Sequence, residues 1–146
     1  MAQAILALGS NLGDREAMLD FAVASLSARG VAVLAQSKRR ETAPVDVPPE
    51  FASLAFLNAA LRVETALPPK ALLRLALAIE AEAGRVRTVR NGPRPLDIDL
   101  ILYAGERRDS PELTLPHPRA AERAFVLEAL ADLGVAREDV LENRLP

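Results

Sequence analysis

The stretch Arg90–Leu102, RNGPRPLDIDLIL, sets two arginines and a Gly-Pro pair ahead of an apolar run that contains two aspartates. A short apolar run bounded by turn residues reads as a strand, here over LDIDLILY from Leu96 to Tyr103. Side chains two apart in a strand share a face. Asp97 and Asp99 therefore fall on one side, and Ile98, Leu100 and Leu102 on the other. The apolar side is expected to be buried; the aspartates need not be. Two neighbouring carboxylates repel each other and are poor strand formers, so a compensating partner is expected. A hard cation such as Mg²⁺ would serve, being held by carboxylate oxygens together with substrate phosphates. Solvated acids, or ion pairs to nearby arginines, would also serve, and for an Asp-x-Asp taken alone that explanation is the commoner.

The arginines upstream shift that balance. From Gly84 to Leu96 the chain carries Arg85, Arg87, Arg90 and Arg94 and no acid. Carboxylates for a metal beside guanidinium forks for phosphate oxygens are what a polyphosphate site requires. The competing reading is a solvated cap beyond a helix C-terminus, where Arg85 and Arg87 would also complement the helix dipole.

The 146 residues are most simply one domain spanning 1–146. Half of them are apolar, enough for a core without staples. The absence of cysteine removes disulfides, thiolate metal sites and cysteine nucleophiles, and a single histidine, His117, excludes a multi-histidine metal cage. A net charge of −2 argues against a general nucleic-acid binder, although arginine supplies 16 of the 18 basic residues. The N-terminal AILAL is far shorter than the roughly 18 apolar residues of a spanning helix, and no basic leader precedes it. A cytoplasmic chain with no membrane association is expected.

Along the chain, QAILAL reads as a strand ending at the turn GSNLGD, where Asp14 can cap a helix from Arg15 to about Arg29 that Gly30 closes. VAVLAQSKRRET reads as a second strand, and the proline-rich segment 43–53 as a loop. In a third strand, AFLNAALRVET, Leu57, Ala59, Leu61 and Val63 form the core face, opposite Phe56, Asn58, Ala60 and Arg62. Pro68 and Pro69 open a second helix with Leu72, Ala76, Ile79 and Ala83 as its apolar stripe and Gly84 as its stop. After the fourth strand, LDIDLILY, come a turn, a short extra strand LTL, and a last helix from Pro118 to about Leu133, followed by a weakly patterned tail. The order β-α-β-β-α-β plus a strand and a helix predicts an α+β fold, a ferredoxin-like antiparallel sheet with helices packed against it.

Other residues are ambiguous on their own. GSNLG lacks the lysine and spacing of a Walker loop and is more often just a turn. His117, between two prolines and near Arg119 and Arg123, is either structural or a donor to a phosphate oxygen. Phe56 and Phe125 are core candidates, but Phe56 shares its strand face with Asn58, so an aromatic wall beside an amide could hold a flat heterocycle.

Taken together, LGSNLGD, FLNAA, IEAEAGRVR, NGPRPLDIDLIL, LPHPR and ERAFVLEAL occur in an order and spacing that closely resembles the 6-hydroxymethyl-7,8-dihydropterin pyrophosphokinase family over about residues 3–133. The resemblance implies diphosphoryl transfer from MgATP to the pterin hydroxymethyl group, giving AMP, in folate biosynthesis, on a ferredoxin-like fold. It implies that Asp97 and Asp99 hold two Mg²⁺ ions, and that Arg94, Arg85, Arg87 and Arg123 grip phosphates. It further places His117 on the nucleotide phosphates, Glu80 on the nucleotide side, and Leu100 and Thr114 at adenine. Phe56 and Phe125 would sandwich the pterin, with Asn58, Thr42 and the backbone near Val45 bonding its edge. From the residues alone, Glu80 would be a solvated helix position. Arg40 and Phe56 stand where the family often has tyrosine, and Asn91 where some members carry tryptophan. ATP and the pterin are the expected partners, with a monomer expected and a homodimer as the alternative. A ferredoxin-like binding module for nucleotide or RNA, and a Mg²⁺-dependent phosphohydrolase on the same Asp pair, are the competing functions.

Overall fold

Ala2–Ser10 forms β1, the strand around which the sheet is assembled, in a computed structural model that describes residues 1–43, 49, 55–84 and 95–146. Four further segments make the five-stranded main sheet with it: β2 (Val31–Gln36), β3 (Arg40–Thr42), β4 (Phe56–Thr65) and β5 (Asp97–Tyr103), in the order β2-β4-β1-β5 with β3 also paired to β4. Every pairing is antiparallel. With α1 (Arg15–Ala28) between β1 and β2, and α2 (Pro69–Glu82) between β4 and β5, this is the expected ferredoxin-like α+β arrangement.

The second predicted strand is divided. β2 ends at Gln36, Ser37–Arg39 leave the ladder, and β3 (Arg40–Thr42) rejoins β4 further along. Register slips once between Val33 and Ala35, turning Leu34 to the surface. At the break, the hydroxyl of Ser37 accepts the backbone N–H of Ala60 at 2.8 Å, and the Ser37 N–H donates to the Ala60 carbonyl at 2.9 Å. The pair keeps β4 satisfied where the ladder lapses.

Both faces of the sheet are covered. On one, Leu6, Leu8, Leu57, Leu61, Val63, Ile98 and Leu100 pack against Leu19, Ala22 and Leu26 of α1 and Leu72, Ala76 and Ile79 of α2. Each fully buried leucine or isoleucine there stabilises by roughly 1.5–3 kcal/mol relative to exposure. Local signals set the helix ends: Asp14 accepts the N–H of Ala17 at 3.0 Å as N-cap of α1, and Gly84 at φ +90° ends α2. The other face, carrying Ile5 and Ala60, is covered by Val126, Ala129 and Leu130 of α3 (Ala124–Asp132) and by Val140 of α4 (Arg137–Leu141).

β5 departs from strict alternation. Its register against β1 slips between Ile5 and Leu6, so that Ile5 faces Leu102 while Leu6 faces Leu100. Ile101 and Leu102 both join the cluster under α3, and Tyr103 returns to the α1/α2 side. Leu102 is thus on the opposite face from Ile98 and Leu100, contrary to the two-residue period, because a bulge inserts one residue into the strand. The LTL segment also differs: β7 (Thr114–Leu115) pairs with β6 (Arg108–Asp109) in a separate two-stranded sheet. The last helix is interrupted as well, into a 3-10 turn at Ala120–Glu122 and α3, because Arg123 is extended at φ −102°, ψ 114°. The tail is more ordered than its pattern suggests. Ala136 N–H donates to Asp139 at 2.8 Å at the start of α4, and Arg62 holds the carbonyls of Leu133 and Pro146 at 3.0 and 2.8 Å.

Candidate active site

β5 is an edge strand, so its outer backbone groups are open to other elements. Glu80, in the last turns of α2, places Oε2 2.7 Å from the N–H of Ile98 and accepts its hydrogen bond. Further along the same edge, the N–H of His117 donates to the Ile101 carbonyl at 2.8 Å. Between α2, β5 and the β6–β7 hairpin lies a cleft of about 340 Å³, within the ~300–1,000 Å³ range of small-molecule sites. Glu80, Asp97, Asp99, Leu100, Thr114 and His117 all line it, gathering six of the sequence-predicted residues into one place.

Glu80 is 2 % exposed, so the solvated position expected from the residues alone is overturned. The helical period puts it beside the buried stripe, and the open N–H of an edge strand gives its carboxylate a reason to be there. Leu73 and Leu77 also line the cleft and were not singled out in the sequence. Their signal was available: they lie one turn apart on α2, outside its buried stripe, and Leu77 is an exposed leucine with no place in the core. Ser110, Pro111, Glu112 and Leu113 complete one wall and carry no motif that would mark them.

The aspartates are half-buried at the start of β5. Sheet register connects them to the second group of predicted residues. Gly9 of β1 is paired with Asn58 on one side and Asp97 on the other, so Asn58, Gly9 and Asp97 form a row across three strands on one face. Each inter-strand step is about 4.8 Å, placing the backbone of the amide residue about 10 Å from that of the carboxylate residue. Gly9 keeps the row low: a Cβ there would lie 3.1 Å from Asn58 Oδ1 and 3.5 Å from the Phe56 ring. Asn58 donates through Nδ2 to the hydroxyl of Thr42, its diagonal neighbour on β3, and Phe56 pairs directly with Thr42. Phe56, Asn58 and Thr42 therefore form one half-buried aromatic and polar patch, with the acids further along the same face.

Phe125 lies in the first turn of α3, half-buried against the cluster that contains Ile5, Ala60 and Ile101. α3 packs on β4, the strand that carries Phe56 and Asn58. Arg123 precedes it, half-buried, and with Arg119 acts on His117. Burial, then the charges of Arg123 and Arg119, hold the His117 imidazole below its ordinary pKa. Its Nδ1 accepts the N–H of Arg119 at 3.3 Å, which in the neutral ring leaves Nε2–H as a donor. Arg85, Arg87, Arg94 and Val45 lie outside the described residues.

The donor chemistry suits a hard cation bound together with a ligand. Asp97 and Asp99 offer carboxylate oxygens on one strand face, and among the described residues no group of three or more acidic or histidine side chains converges as a closed cage. A metal held by two protein carboxylates would take its other ligands from water and phosphate, the usual manner of Mg²⁺. No helix among the described residues is long and apolar enough to cross a membrane.

A profile of the 7,8-dihydro-6-hydroxymethylpterin-pyrophosphokinase family matches residues 5–135. The chain belongs to that family. By membership it is a pyrophosphokinase, an ATP-dependent diphosphotransferase of folate biosynthesis. It is 46 % identical over 135 residues to the 2-amino-4-hydroxy-6-hydroxymethyldihydropteridine pyrophosphokinase of Methylorubrum extorquens, covering 91 % of this chain and 83 % of that one. To the protein of the same name in Bacillus subtilis it is 45 % identical over 131 residues, covering 89 % of this chain and 77 % of that one. Among solved structures, the HPPK-DHPS of Plasmodium falciparum with SDX-DHP superimposes at a TM-score of 0.63 and 15 % identity, over 91 % of this chain and 40 % of that one. At that identity the likeness is one of fold.

Proposed function

We propose that the cleft and the patch beside it are the two halves of the pyrophosphokinase site, with MgATP along the β5 edge and 6-hydroxymethyl-7,8-dihydropterin over the face of Phe56, Asn58 and Thr42. The observation that carries this assignment is the row Asn58-Gly9-Asp97, in which an amide and a carboxylate share one sheet face with no side chain between them.

On the nucleotide side, Leu73, Leu77, Ile98 and Leu100 give the base an apolar bed, and Thr114 offers a hydroxyl on the opposite wall. Asp97 and Asp99 would hold Mg²⁺, two ions on the resemblance to the family, which would neutralise phosphate charge and fix the attacking and leaving oxygens. His117 offers a neutral Nε2–H to a phosphate oxygen, with Arg123 adding positive charge nearby. Arg85, Arg87 and Arg94 are assigned to the same phosphates.

On the other side, the ring of Phe56 supports the flat face of the pterin, and Asn58 and Thr42 pair with its edge. Phe125 closes over the opposite face, and backbone near Val45 completes the edge contacts. The pterin hydroxyl oxygen forms a bond to the β-phosphorus while the bond from that phosphorus to the α-β bridging oxygen breaks. The hydroxyl proton passes to solvent water, and AMP leaves with the bridging oxygen. None of the described side chains is required as a general base, because phosphoryl transfer through a loose transition state is driven chiefly by positioning and charge.

The test is incubation with MgATP, with and without the pterin alcohol, followed by separation of nucleotides. AMP that forms only when the pterin is present supports the transferase. ADP, or AMP released without pterin, would indicate a hydrolase, and absence of turnover would leave a binding module.

A further inference from the structure

Arg40 lies outside both halves of the site, yet it joins β3 and α3, the elements that carry Thr42 and Phe125. On β3 it pairs directly with Asn58, so the two side chains leave the sheet on the face that α3 covers. Its Nη2 lies 3.0 Å from Oδ1 and 2.9 Å from Oδ2 of Asp132, and its Nε lies 3.9 Å from Glu128. Asp132 also accepts the backbone N–H of Lys38 at 2.9 Å, so α3 is attached to the chain on both sides of Arg39. The other guanidinium nitrogen, Nη1, is buried and has no hydrogen-bond partner among the described residues. The group is thus wedged between strand and helix rather than swinging in solvent.

The spacing on α3 gives this clamp a consequence. Phe125, Glu128 and Asp132 follow at +3 and +4, the intervals that place helical side chains on one face. No side chain caps the N-terminus of α3, where Phe125 sits. On the strand, Thr42 is two residues beyond Arg40, on the same face, and is hydrogen-bonded to Asn58.

We propose that Arg40 is a positioning residue for the pterin half of the site: by holding Asp132 and Glu128 it fixes the height of α3, and so of Phe125, above the strands that carry Asn58, Thr42 and Phe56. The inference rests on the assignment of Phe125 and Asn58 to the pterin given above. It also defines a direction of effect. Loosening the clamp widens the slot for the flat heterocycle and reaches the nucleotide half only through Arg123, the N-cap residue of α3, while β5 itself is held by its pairing with β1.

The experiment compares Arg40→Met, Arg40→Lys, Asp132→Asn and Phe125→Ala with the parent enzyme, measuring kcat, KM for each substrate and Tm. Arg40→Met is expected to raise KM for hydroxymethyldihydropterin about tenfold, since displacement of a binding group by a fraction of an ångström is felt at this scale. KM for ATP stays within about twofold, and Arg40→Lys recovers part of the loss by retaining one charged donor to Asp132. Asp132→Asn, a change of charge with little change of shape, moves pterin KM in the same direction and carries the test should Arg40→Met fold poorly. Loss of Tm or kcat with both KM values unchanged would overturn the proposal, marking the clamp as structural only. A raised pterin KM in Phe125→Ala with none in Arg40→Met and Asp132→Asn would also overturn it while sparing the Phe125 assignment. No change in Phe125→Ala would remove that assignment and the Arg40 proposal with it.

Discussion

Glu80 accepts the backbone N–H of Ile98 at 2.7 Å, so a carboxylate from a helix caps the open edge of the strand that presents Asp97 and Asp99. Removing it leaves a buried donor unpaired, at a cost of about 1–3 kcal/mol. Glu80→Ala is therefore expected to lower the unfolding free energy by that amount, and Glu80→Gln by less, because the amide oxygen keeps the bond without its charge. Urea denaturation should rank the three proteins as parent, Gln variant, Ala variant. Equal midpoints for parent and Ala variant would show that this bond does not secure the strand.

Asp97 and Asp99 are half-buried at one end of β5, with Ile98 between them anchored in the core. Asp97→Asn or Asp99→Asn keeps size and removes a charge that is proposed to hold the metal. Loss of several kcal/mol of charge stabilisation corresponds to a fall in kcat on the order of 10³ or more. Circular dichroism should show the fold retained. Turnover near the parent rate in either variant would remove that residue from the metal assignment.

Gly9 separates Asn58 from Asp97, and a Cβ at position 9 would lie 3.1 Å from Asn58 Oδ1. That contact is tighter than an unstrained one, so Gly9→Ala is expected to displace the amide from the position in which it bonds Thr42, crowding it toward β3. Pterin KM should rise severalfold, with ATP affinity little changed, because the proposed base site is at the outer edge of β5, beyond the Gly9 row. Equal weakening for both substrates would argue that the row does not divide the site as described.

His117 is the sole histidine, so one imidazole Cε1–H resonance reports its titration. The midpoint should lie below the ordinary value near 6.5, first because of burial and then because of Arg123 and Arg119. Arg123→Ala should raise it without restoring the ordinary value, and MgATP should raise it by placing phosphate charge near the ring. A folded pKa below the unfolded one means this group contributes stability above the ordinary value. That contribution is lost as pH falls through the folded midpoint. A midpoint above 6.5 in the free protein would contradict the described environment.

The amino-acid sequence by itself determined the features that depend on spacing along one element. The two-residue period set Asp97 and Asp99 on one face and separated Phe56 and Asn58 from Leu57 and Ala59. Proline and glycine at Pro69 and Gly84 bounded α2, and the six quoted motifs identified the family. Tertiary structure alone decided the relations between elements far apart in the chain. The register of β1 against β4 and β5 brought Asn58, Gly9 and Asp97 into one row, and the bulge at Ile101 moved Leu102 to the face opposite Leu100. Docking of α2 turned Glu80 from an apparently solvated acid into the cap on Ile98, and docking of α3 gave Arg40 its hold on Asp132. The physical reason is one of range: backbone geometry repeats every two or 3.6 residues and is written locally. Register and helix placement come instead from how two apolar faces pack, which no single segment contains.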